Sequence, residues 1–267
     1  MKKVVMAVAA VALIAGFAGC KKKAGDNSLA ELKERGKFIL GLDASFPPMG
    51  SIDDDGVIVG YDIDLGKEVA KRLGVDFVAQ PINWDAKSFE LDSGNIDCIW
   101  NGMTLTDERK ETYACSSAYL NNDQVLVVRK ESNIRSLADA AGKVVAIQKG
   151  SSAQDALDDN PDFNASLKNV LKFDDNIVAL QDLIVGGCDG VVLDSVVANW
   201  YISKNNAPLV VVDEILAKEE YGIAFRKGDV KLRDEVQKVL EEMEADGTVE
   251  KLCEKWFGRN ISVLGKK

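Results

Sequence analysis

The chain contains no histidine among its 267 residues. That absence removes every serine–histidine or cysteine–histidine nucleophile pair and every histidine-bearing zinc site. Basic residues are also short: 33 Lys and Arg stand against 43 Asp and Glu, a net charge of −10. Such a surface repels a phosphate backbone and argues against a nucleic-acid partner. The five cysteines include no Cys-x-x-Cys pair, so neither a metal cluster nor a dithiol site is expected. Proline is scarce, and no Pro/Ser-rich or low-complexity stretch separates one part of the chain from another. Chemistry therefore rests on carboxylates, lysine, cysteine or hydroxyls. What the chain does have is 46% apolar residues, at a length that buries one or two cores.

The first twenty residues are a separate object. Lys2 and Lys3 precede an apolar run over 4–18, which is too short to span a membrane and has the shape of a secretory h-region. The run ends in Phe17-Ala18-Gly19-Cys20. This resembles a bacterial lipobox, in which small residues admit the signal peptidase and the cysteine thiol receives diacylglycerol, although Phe17 stands where leucine is usual. Residues 1–19 are read as a lipoprotein signal peptide, Cys20 as the lipidated residue and 20–28 as a tether. The plainer alternative is an ordinary secretory signal with an incidental cysteine. Export would put Cys98, Cys115, Cys188 and Cys253 where disulfides form; free structural thiols are favoured, with one bridge as the alternative.

Beyond the tether, the Ser28 to Glu31 spacing predicts a capping box and a short helix to Arg35, ended by Gly36. Strands at 37–43, 75–80 and 96–102 then alternate with helices at 61–74 and 85–94. A second series has strands at 124–130, 143–148, 169–173, 190–194 and 208–213, with helices from Ser151, over 176–187 and over 195–203. A strand in YGIAFRKGD and two helices close the chain. Such alternation predicts an α/β fold, with mainly parallel sheets covered by helices on both faces, in two units of similar size.

Several segments place polar groups where strands end. NGMTLTDERK (101–110) leaves an apolar strand, turns at Gly102, offers two threonine hydroxyls and starts a helix bearing Arg109. Amides and a guanidinium so placed bind a carboxylate; the plainer reading is a Thr106 cap and a solvated Arg109. KVVAIQKGSSAQDAL (143–157) runs through Gly150 into Ser151 and Ser152, without the spacing of a P-loop. In GVVLDSVVANW, Asp194 either binds an ammonium group or caps the following helix. Phe46 and Trp84 follow strand ends, either as loop packing or as two faces gripping a small side chain, with Asp43 and Asn101 as polar partners.

Together these segments resemble the amino-acid-specific solute-binding proteins of ABC importers, the family 3 or type II periplasmic-binding-protein group, over about residues 37–258. The carriers are GLDASFPPM, GYDIDLGKEVAKRLG, NGMTLTDER, GKVVAIQKGSSA, the aspartate of VVLDSVVA, YGIAFRKGD and ADGTVEKLCEKWFG, in that order. The resemblance implies that the Gly102 carbonyl, the Thr104 hydroxyl and Asp194 hold a ligand ammonium. Arg109 and the amides of Thr104 and Ser152 would hold its carboxylate. Phe46 and Trp84 would sandwich the side chain, and Asp43, Asn101, Gln148 and Ser151 would vary with ligand choice. Departures fall on the side-chain pocket: QKGSS replaces a loop richer in glycine, and Trp100-Asn101 replaces smaller residues.

The resemblance further implies two α/β lobes, 29–118 plus 222–267 and 124–216, joined by a two-strand hinge at 119–123 and 217–221. The implied protein is a monomeric, extracytoplasmic receptor, lipid-anchored to the cell membrane, or periplasmic if an outer membrane is present. It would close on a free, polar L-α-amino acid and deliver it to the permease subunits of an ABC transporter, without cofactor, metal or catalysis. An alternative on the same fold is a lyase of the cyclohexadienyl dehydratase type. That enzyme would need a carboxylate acid or base, for which Asp43 and Asp194 are candidates. A sensory input module, which would need a further membrane segment or a signalling domain, is not expected.

Overall fold

The computed structural model describes residues 25–266, so the proposed signal peptide, Cys20 and residues 20–24 of the tether lie outside the described residues. Helix α1 (Ser28–Arg35) forms as its spacing predicts, but Ser28 is its first helical residue rather than its cap. The N-cap is Asn27, which makes no side-chain cap bond; Asp26 Oδ1, one residue earlier, accepts from the Ser28 amide at 2.9 Å and the Ser28 hydroxyl at 2.6 Å. A carboxylate is a better acceptor for free helical amides than a hydroxyl and suits the positive end of the helix.

The first lobe continues through β1 (Lys37–Leu42), β2 (Ser45–Phe46), β3 (Gly50–Ile52), β4 (Ile58–Val59), α2 (Tyr61–Leu73), β5 (Asp76–Pro81), α3 (Lys87–Asp92), β6 (Cys98–Thr104), α4 (Asp107–Thr112) and β7 (Ala114–Cys115). The second holds β8 (Leu120–Arg129), β9 (Val144–Gln148), α5 (Ser152–Asp158), α6 (Pro161–Ser166), β10 (Asn169–Phe173), α7 (Asn176–Val185), β11 (Gly190–Asp194) and α8 (Ser195–Asn205). Strand β12 (Leu209–Phe225) returns the chain to the first lobe, where α9 (Val230–Ala245) and α10 (Thr248–Phe257) pack against α1 and α2.

The main sheet runs β10-β9-β11-β8-β12-β6-β1-β5. Its two ends are parallel, as expected. Its middle is not: β8 and β12 lie antiparallel to each other and to β11 and β6. Two strands were expected where β12 is one, 17 residues long, pairing with β8 from Leu209 to Tyr221 and with β6 and β7 near its end. Its register shifts between Val211 and Ile215 and again before Ala217. These irregularities, of a kind that bends a strand locally, lie just before the expected hinge segment 217–221.

Burial follows the pattern that specified the elements. Strands β6 and β11 are buried at every position, as strands covered on both faces must be. On α2, Leu65, Val69 and Leu73 recur at helical spacing and are buried with Ile63 and Ala70, while Tyr61 packs on Phe257 of α10, ring centroids 5.0 Å apart. Gly66 lets that helix close on the sheet, because a Cβ there would stand 2.7 Å from the Phe77 ring and 2.9 Å from Leu40. Each large side chain so buried contributes about 1.5–3 kcal/mol. Cys98, Cys115, Cys188 and Cys253 are free thiols, and no described helix is long and apolar enough to cross a membrane.

Candidate functional site

Strand β6 carries most of the first-lobe contribution. It was expected to end near Gly102 and turn there; instead it runs on to Thr104, with Gly102 inside it at φ +56. Continued pairing of Met103 and Thr104 with β12 holds the strand together past that point. The left-handed residue turns the chain locally, and a Cβ at Gly102 would meet Phe46 at 2.8 Å and Tyr221 at 3.1 Å. Its amide donates to Asp62 Oδ2 at 2.8 Å, which also accepts from the Tyr119 hydroxyl at 2.9 Å. Asp62 is fully buried, and that burial pushes its carboxyl up to about 7 despite both donors.

After β6, Thr106 caps α4 with its hydroxyl accepting from the Arg109 amide at 3.2 Å. Arg109 points inward and is 9% exposed, not a solvated surface charge. Its Nη1 donates to the Thr104 carbonyl at 3.1 Å and its Nη2 to the Gly150 carbonyl at 3.3 Å. Carbonyl partners orient the guanidinium without neutralising it, which leaves its charge available to an anion. From the second lobe, Ser151 caps α5, and the Ser152 hydroxyl lies 3.0 Å from that of Thr104.

Asp194 ends β11 and precedes α8, yet it caps nothing with its side chain. Its Oδ1 accepts from Asn122 Nδ2 and from the Tyr221 hydroxyl, each at 2.7 Å. Burial, and then the charge of Glu219, hold its carboxyl well above the usual carboxylate range. Asp43 is buried as well, with its Oδ2 accepting from Gln148 Nε2 across the lobes at 2.7 Å. Burial raises it against the donations from Ser45 and Gln148. Asn101 Oδ1 accepts the Asp43 amide at 3.0 Å, while its Nδ2 is buried without a partner.

Ten of the eleven expected ligand-binding residues line one small cavity: Phe46, Trp84, Asn101, Gly102, Thr104, Arg109, Gln148, Ser151, Ser152 and Asp194. Asp43 stands behind Gln148, to which it is bonded. The cavity thus joins a cation, a carboxyl group, hydroxyls and two aromatic residues, the elements needed to hold both ends of a zwitterion. Two larger grooves flank the hinge strands, and neither is lined by both Arg109 and Asp194.

Five participants had not been singled out from the sequence. Asn122 and Gln124 on β8 and Glu219 on β12 stand behind the cavity lining, bonded to Asp194, Ser152 and Thr104, with Glu219 Oε2 accepting from Asn122, Gln124 and Thr104 at 2.8, 3.1 and 2.9 Å. Lys87 Nζ reaches the Gly150 carbonyl at 2.7 Å and sits 5.2 Å over the Trp84 ring. Burial and then nearby Arg109 lower its ammonium to about 8. Asp62 supports Gly102 from behind. The only sequence signal for any of these is the Asn-x-Gln spacing at 122 and 124, which puts both side chains on one face of a strand.

The profile of the bacterial extracellular solute-binding proteins, family 3, matches residues 38–259. The chain is 35% identical over 263 residues to the L-cystine-binding protein TcyJ of Escherichia coli (strain K12), covering 98% of this chain and 97% of that one. It is 30% identical over 260 residues to the arginine-binding extracellular protein ArtP of Bacillus subtilis (strain 168), covering 96% and 98%. A solved ABC uptake transporter substrate-binding protein from Streptococcus pneumoniae, with bound histidine, superposes with a TM-score of 0.85 at 34% identity, over 89% of this chain and 98% of that one.

Proposed function

The chain belongs to the bacterial extracellular solute-binding proteins of family 3, and on that premise we propose that it is an extracytoplasmic receptor for a free, polar L-α-amino acid, which it delivers to an ABC permease. The observation that carries this reading is the single cavity between the lobes that unites Arg109 with Asp194. Arg109 takes the ligand carboxylate through a bidentate fork, and Asp194 takes the ammonium. Phe46 and Trp84 flank the side chain, and Asp43, Asn101 and Gln148 choose among side chains. Buried polar groups of this kind disfavour an aliphatic ligand by about 1–3 kcal/mol for each group left unpaired. The relatives named for cystine and arginine, and the structure with bound histidine, support a polar class.

Lobe boundaries near 119–123 and 217–221, lipidation of Cys20 and action as a monomer belong to the same proposal. So does the absence of catalysis: a ligand ammonium accounts for Asp194 without an acid–base step, and the relatives are named as cystine- and arginine-binding proteins. A thermal-shift screen of the twenty amino acids and cystine, followed by calorimetry, tests the reading. A ligand at one hundred times its Kd adds about 2.7 kcal/mol to stability. A polar amino acid should raise Tm clearly and leucine should not; if no amino acid shifts Tm, the receptor reading fails. Product analysis with prephenate-like acids should show no turnover.

A further inference from the structure

Asp194 and Glu219 share one amide donor. Asn122 Nδ2 stands 2.7 Å from Asp194 Oδ1 and 2.8 Å from Glu219 Oε2. Strand register brings them together: Asn122 lies opposite Glu219 on β12, and Gln124 lies opposite Asp194 on β11. Because β8, β11 and β12 are bonded into one ladder, the pair stays together when the lobes separate. The groups that face it are Asn122 and Gln124 from β8, the Tyr221 hydroxyl from β12, the Thr104 hydroxyl from β6 and the Ser152 hydroxyl from α5. None of the donors to either carboxylate is a lysine or arginine. Arg109 is turned to two carbonyls, and the charge from α5, Asp155, is a like charge.

Two adjacent carboxylates without a counter-cation cannot both stay ionised cheaply, and one of them keeps a proton. Gln124 fits such a state. It is completely buried, its Nε2 donates to Glu219, and its Oε1 has no donor, leaving an acceptor for a carboxyl O–H. We infer that Glu219 is a further ligand-site residue, which beside Asp194 makes the ammonium subsite a carboxyl–carboxylate pair that holds one proton until a ligand ammonium replaces it. This rests on the amino-acid-receptor reading. On binding, the carboxyl O–H bond breaks, its electron pair stays on oxygen and the proton passes to water, so one positive charge is exchanged for another. The groove lined by Glu219, Asn122, Thr104 and Ser152 gives that proton an exit.

Calorimetric titration of the whole chain with L-arginine and with L-glutamine, in buffers of different ionisation enthalpy, counts the protons released. Neither probe changes charge between about pH 5.5 and 7.5. The wild type should release about half to one proton per ligand at pH 6.5, and its affinity should fall by up to about tenfold per pH unit below 7. Glu219→Gln should bind and release clearly fewer protons, with a flatter pH profile, because burial still raises Asp194 while its like-charged neighbour is gone. An unchanged proton count in Glu219→Gln overturns the inference. So does a wild type that releases no proton anywhere in this range, a result that needs no variant to fold. If neither probe nor any other amino acid binds, the receptor reading itself has failed and this inference falls with it.

Discussion

Arg109 shows how one side chain can be legible in chemistry and hidden in orientation. A Thr-x-x-Arg sequence is compatible with a surface charge; what turns Arg109 inward is the Thr106 cap together with carbonyls supplied by Thr104 and by Gly150 of the other lobe. Arg109→Ala should fold, since the side chain's own partners are carbonyls, yet lose about 4 kcal/mol of binding, about a thousandfold in Kd. Calorimetry on the tightest amino acid checks this, and wild-type affinity would move the carboxylate site elsewhere. Asp62 makes a separate prediction. Its carboxyl rises from 3.8 to about 7 in the folded chain, so between those values the native state binds more protons than the unfolded one, and its contribution to stability declines as pH rises. Urea denaturation of ligand-free protein should give greater stability at pH 5 than at pH 8. Asp62→Asn should remove part of that difference, a change on the order of a few kcal/mol; an identical profile in the variant would contradict this role.

At the scale of elements, periodicity made most of the fold legible. Strands at 169–173 and 190–194 occur with the expected limits because short, apolar or alternating runs are bounded by turn residues. Strand β12 was not legible whole, since its crossing segment carries Asp213, Glu214 and Lys218 to Glu220, a charge run that reads as loop. Helix α6 also escaped notice, as it buries none of its residues and so has no apolar stripe. The candidate site divides in the same way. Residues at strand ends, such as Asp194 and Ser152, stand where α/β folds gather ligands, whereas Glu219, Asn122 and Gln124 depend on the pairing of β8 with β12, a register set by distant residues. Gly102 was legible as a residue but misread as a turn. Gly102→Ala should cost about 1–3 kcal/mol in urea denaturation, from φ +56 and the Phe46 contact together, and should weaken ligand binding; wild-type stability would show that the left-handed strand residue is not needed.

The molecule as a whole is two lobes held shut at the site. Lys87 and Arg109 both reach the Gly150 carbonyl, Gln148 reaches Asp43, and Thr104 meets Ser152. Each contact joins a first-lobe group to the β9–α5 segment of the second lobe, and the cavity between them is small. An amino acid can enter only when these contacts part, and it shifts the lobes toward closure only by as much as it prefers the closed form. The hinge strands β8 and β12 provide the bend, with the register shifts of β12 lying on the second-lobe side of it. Small-angle X-ray scattering of the chain with and without a saturating polar amino acid tests this most directly. The radius of gyration should be smaller with ligand, and the ligand-bound curve should fit the closed arrangement of the lobes; indistinguishable curves at full saturation would contradict closure on the ligand.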